Sequence, residues 1–69
     1  MTEERAITRE VERRRLKVAR RHIDAAGALI WAASQDYREA GKGPYEALET
    51  IARALAEIME VLDAALGEI

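Results

Sequence analysis

Few side chains in this sequence are suited to catalysis. The chain has one histidine, His22, one serine, Ser34, and no cysteine among its 69 residues. On one helix, the twelve positions from His22 to Ser34 span about 18 Å, so the two side chains do not reach hydrogen-bond distance within one chain. There is also no glycine-rich phosphate loop and no Glu-x-x-His pair. The sequence therefore predicts a protein that is not an enzyme.

The surroundings of His22 leave a cofactor site open as an alternative. The neighbouring residues on its helix face are small, namely Ala19, Ala25 and Ala26. Two chains would bring two histidines together, which is enough for axial ligation of a haem-like macrocycle or another metal cofactor. The simpler interpretation is a histidine hydrogen-bonded across a dimer interface, for example to Asp36 of the partner subunit. One histidine is an unspecific signal, so we expect no cofactor.

A run of basic residues indicates a second alternative, binding of nucleic acid. The segment "RRRLKVARRH", residues 13–22, carries six positive charges and no acid, although the net charge of the chain is −2. At 100° per residue, five basic side chains share one outward face of the helix: Arg9, Arg13, Lys17, Arg20 and Arg21. Such a face can follow phosphates. The competing interpretation, which we favour, is a solvated surface that is partly paired with Glu10 and Asp24 or attracted toward acidic helix 2.

The chain has a single strong break, "GKGP", at residues 41–44. Gly41 suits the C′ position after a helix, and Pro44 suits N1, the first residue of the next helix. The sequence therefore predicts one domain, residues 1–69, with helix 1 at about 3–40, a loop at 41–43 and helix 2 at about 44–67.

Both predicted helices carry apolar residues at heptad spacing, as in coiled coils. Steps of three and four residues connect Leu16, Ala19, Ile23, Ala26, Ile30, Ala33, Tyr37 and Ala40 in helix 1, and Tyr45, Leu48, Ala52, Leu55, Met59, Leu62, Leu66 and Ile69 in helix 2. If the chain folds back at the break, Ile23 meets Leu62 and Ile30 meets Leu55. The spacing predicts an all-α antiparallel hairpin of a long helix 1 and a shorter helix 2.

Each helix carries a second apolar stripe that a two-helix hairpin cannot cover. We expect these stripes to pair two hairpins into a four-helix bundle, that is, a homodimer; a tetramer is the alternative assembly. The predicted interface comprises Ile7, Val11, Val18, His22, Ala25, Leu29, Ala32, Ile51, Ile58 and Val61. Ile7 and Val11 lie on the part of helix 1 that extends past the end of helix 2, and contact with the partner would order it.

The uncharged segment "AAGALIWAA", residues 25–33, places a tryptophan away from the hairpin seam. A helical side chain leans toward the N-terminus. Gly27, one turn before Trp31, has no side chain and would therefore leave space for the Trp31 ring. Tryptophan and arginine are enriched in interface hot spots. We therefore predict a partner-binding patch, either a second contact between protomers or a docking site for another protein, formed by Gly27, Trp31, Gln35 and Arg38.

The longest apolar run is too short for a membrane span or a secretory signal, so the expected location is the cytoplasm, with no membrane contact.

A hairpin dimer resembles the Rop family of plasmid RNA-binding proteins in architecture, but shares no residue motif with it. The absence of Asn, Phe and Cys resembles de novo designed bundles, whereas Gly27 and the arginine run are typical of natural proteins. Together these features predict a non-enzymatic, self-assembling helical module that mediates protein–protein interaction.

Overall fold

The protein is an all-α hairpin of two helices that pack against each other, as the heptad spacing predicts. The computed structural model describes the backbone of residues 2–69 and the side chains of residues 8–69. Helix α1 is Thr2–Ala40 and helix α2 is Tyr45–Glu68. The molecule is a rod whose Cα positions extend over 59 × 15 × 12 Å. In the described part of the chain, neither helix has an apolar stretch long enough to cross a membrane.

The connection between the helices is a Schellman turn followed by a proline. Gly41 has a φ of 71°, its N–H donates to the carbonyl of Arg38, and the N–H of Lys42 donates to the carbonyl of Tyr37, both at 3.1 Å. This pattern confirms Gly41 as the C′ residue. Pro44 lies one position earlier in α2 than expected: it is the N-cap, because its ψ of 48° is not helical.

The seam between the helices is only partly shielded from water. Nearly all the heptad residues are half-buried, and Ala52 is the one apolar residue of the described side chains that is buried. Ile23 and Leu62 border the same groove, in agreement with the predicted pairing. Near the middle of the seam, a Cβ added to Gly27 would lie 3.8 Å from the Cβ of Leu55. The helices therefore pack against each other along a narrow contact, which leaves two broad faces open.

Candidate interaction surface

One of the two broad faces of the hairpin is apolar and exposed. It carries the second stripes of both helices, and Leu29 and Val61 are the most open of its large residues, at 72% and 71% exposure. We call this surface the apolar face and define it by Val18, Ala25, Leu29, Ala32, Ala47, Ile51, Ala54, Ile58, Val61 and Ala65. All of these residues are exposed except Ala65, which is half-buried.

Helix geometry explains why the two stripes share one face. On each helix the stripe is rotated from the seam by about 100° in the same sense along the chain. Because the helices are antiparallel, equal rotations bring both stripes to the same side of the hairpin. An apolar groove of about 610 Å³ runs along this side. Its walls come from both helices: Ala19, Ile23, Ala54, Glu57, Ile58, Val61, Leu62 and Ala65.

The opposite face holds the hydrogen bonds that close the hairpin, and we call it the ion-pair face. The guanidinium of Arg20 donates from Nε and Nη2 to the carboxylate of Asp63, the second bond measuring 3.1 Å. Arg38 binds Glu49 in the same bidentate way, at 2.6 and 2.9 Å. Arg20 and Arg38 are 18 residues, or about five helical turns, apart, so they project from the same side of α1.

Glu49 is the centre of a buried polar cluster next to the connection. It is 7% exposed, and it also accepts a hydrogen bond from the amide of Gln35 at 3.3 Å. The hydrogen bonds from Arg38 hold the pKa of Glu49 below its usual range, against the opposing effect of burial. Ser34, fully buried, donates to the backbone carbonyl of Trp31 at 2.6 Å. The hydrogen bonds to Glu49 hold α1 and α2 together at this end of the hairpin.

The structure places the residues of the predicted partner-binding patch in different surroundings. Gln35 and Arg38 both bind Glu49 of α2, and Arg38 remains exposed. A Cβ added to Gly27 would lie near Leu55, so this glycine lies at the helix–helix contact. Trp31 remains 44% exposed. Long polar side chains on α1 thus reach around their helix to bind α2.

The basic residues of α1 are divided between the hairpin and the solvent. Arg20 pairs with Asp63, and Arg13 donates to the carbonyl of Leu66 at 3.4 Å near the end of α2. Arg9, Lys17 and Arg21 are exposed. Contacts with α2 thus engage two of the five residues proposed to bind phosphates, one through a carboxylate and one through a backbone carbonyl.

The structure keeps the chemically reactive side chains apart. His22 is exposed and lies two turns before Leu29, at the border of the apolar face. Ser34 is buried on the ion-pair side. Among the described residues, no three His, Asp or Glu side chains come together in a way that could hold a metal ion.

Comparison of the chain with protein-family models, curated proteins and solved structures gives no match.

Proposed function

We propose that this protein is a self-assembling helical module in which two copies pair through their apolar faces to form a four-helix bundle. The observation that carries the proposal is the exposure of the apolar face in the single hairpin, with Leu29 and Val61 both more than two-thirds open to water. Contiguous exposed apolar surface of this kind marks an interaction site.

The size and content of the hairpin favour a second copy as the occupant. Three of the described residues are buried, Ser34, Glu49 and Ala52, and two of these are polar. A chain of this length needs more apolar burial than that to be stable on its own. The second stripes of both helices lie on one face, so a twofold-related copy presents an equally apolar surface.

The area of the apolar face suits a stable dimer. The face extends along α2, whose 24 residues span about 36 Å at 1.5 Å per residue. Two helices of roughly 10 Å width then give an area of about 700 Å², close to the roughly 800 Å² per partner of a standard interface.

Sedimentation equilibrium across micromolar concentrations tests the proposal. We expect a dimer mass for the wild-type protein and a monomer mass for Leu29→Glu and Ile58→Glu, because each change buries an unpaired charge in the interface. Circular dichroism should show that helix content falls with dissociation. The matched control is Ala64→Glu, an exposed alanine about 120° from Ile58 around α2, which should remain a dimer. A folded wild-type monomer at these concentrations would overturn the proposal.

A further inference from the structure

The two ion pairs on the far side of the hairpin define its midpoint. Leu29 lies midway between Arg20 and Arg38, nine residues from each, and Ala56 lies midway between Glu49 and Asp63, seven residues from each. Because Arg20 is bonded to Asp63 and Arg38 to Glu49, Leu29 and Ala56 stand at the same height along the rod. Ala56 is also near the centre of α2, Tyr45–Glu68.

The apolar stripe of α2 is symmetric about this midpoint. On α2, counting outward from Ala56 pairs Ala54 with Ile58, Ile51 with Val61 and Ala47 with Ala65. On α1, the most exposed large residue, Leu29, stands at the midpoint set by the ion pairs, and seven residues in either direction reach His22 and Asp36. Seven residues are about two helical turns, so both lie on the same side of α1 as Leu29.

We infer that the two hairpins of the dimer run in opposite directions, with the twofold axis crossing the rod at the height of Leu29 and Ala56. In this arrangement His22 of each protomer faces Asp36 of the partner subunit. The inference rests on the proposed function. In this arrangement each helix packs antiparallel on its own copy, and the apolar stripe of α2 is covered along its whole length.

The charges at the two ends of the α1 contact support this direction over the alternative, in which α1 packs on α2 of the partner subunit and the hairpins run the same way. With opposite directions, Arg21 stands near Asp36 and Glu39 of the partner subunit, so unlike charges flank the apolar face. With the same direction, Glu39 stands beside Glu46 of the partner subunit, which is unfavourable. Complementary charge of this kind sets the orientation of partners in an interface.

The absence of native cysteine permits a direct test by disulfide formation. Disulfides form when Cα atoms are about 4.4–6.8 Å apart, which two copies of a residue on the axis satisfy. Leu29→Cys should therefore cross-link to a covalent dimer under mild oxidation at least tenfold faster than Val18→Cys. Two copies of residue 18 stand about 33 Å apart along the rod in this arrangement. Unfolding in urea should abolish this difference in cross-linking rate between the two variants.

A second pair of variants leaves Leu29 intact. A mixture of His22→Cys and Asp36→Cys should give mainly the heterodimer, with little of either homodimer. Sedimentation of each variant under reducing conditions separates the outcomes. A dimer by mass that fails to cross-link through both sets of cysteines would overturn the antiparallel arrangement and leave the proposed function standing. A monomer by mass for the wild-type protein would overturn both.

Discussion

At the scale of single residues, Glu49 links the stability of the hairpin to pH. Arg38 lowers its pKa in the folded state, so the ion pair stabilises the fold above the unfolded pKa of about 4.3. This contribution is lost as the pH falls through the lower folded value. We expect the Tm, followed by circular dichroism, to fall on acidification. It should fall less in Glu49→Gln, which starts from a lower Tm at neutral pH.

The matched control is Glu46→Gln, which removes an exposed glutamate one turn earlier on α2. Its Tm should follow the wild-type profile. Asp63, whose pKa Arg20 also lowers, leaves a remaining acid dependence in Glu49→Gln. If the Tm of Glu49→Gln and that of the wild-type protein fell by the same number of degrees on acidification, the ion pair between Arg38 and Glu49 would not contribute to stability.

Gly27 and Gly43 give opposite predictions for the same substitution. A Cβ at Gly27 meets Leu55 at an ordinary contact distance of 3.8 Å. Gly27→Ala should therefore raise the free energy of unfolding by roughly 1 kcal/mol, the difference in helix propensity. Gly43 has a φ of 87°, and a Cβ there would lie 2.5 Å from Cδ1 of Tyr37. Gly43→Ala should therefore lower the free energy of unfolding. Urea denaturation at one protein concentration measures both. A destabilised Gly27→Ala would show that the contact with Leu55 leaves no room for a Cβ.

At the scale of the helices, the apolar pattern was predictable and the polar contacts were not. Burial along a helix repeats with the helical period, so Ile23 and Leu62 could be paired from spacing alone. The bonds of Gln35 and Arg38 to Glu49 depend on side-chain reach and on the separation of the helices. One signal was present in the sequence: Arg38 and Glu49 border the seam at matching heights, as do Arg20 and Asp63.

The N-terminal part of α1 extends beyond α2, and in the antiparallel dimer it also extends beyond the partner. Val11 is 39% exposed, and the side chain of Ile7 lies outside the described residues. Deleting residues 2–12 should therefore leave the dissociation constant of the dimer within about twofold of wild type, because this segment contributes little area to the interface. Sedimentation equilibrium measures the change. A tenfold weakening would place Val11 in the interface, as the sequence suggested.

At the scale of the whole molecule, the groove on the side of the apolar face is lined by one charged residue, which stands next to the proposed axis. Glu57 lines the groove directly after Ala56, so two copies of its carboxylate approach each other in the antiparallel dimer. Glu57→Gln should tighten the dimer by about two- to fivefold at low salt, the range typical of exposed charge pairs, and by less at high salt. Glu60→Gln is the control, because Glu60 stands about 160° from Ile58 around α2. No tightening in Glu57→Gln would argue against the axis at Ala56.

The short connection has a consequence for the order of folding. Arg38 and Glu49, beside the turn, are 11 residues apart, whereas Arg20 and Asp63 are 43 apart. Closing the longer loop costs about 1.2 kcal/mol more in chain entropy. The hairpin should therefore nucleate at the turn and zip toward its free ends. In stopped-flow experiments, Leu48→Ala, near the turn, should slow refolding, and Leu62→Ala, far from it, should mainly speed unfolding. If Leu62→Ala slowed refolding and Leu48→Ala mainly sped unfolding, the folding nucleus would lie at the open end of the rod.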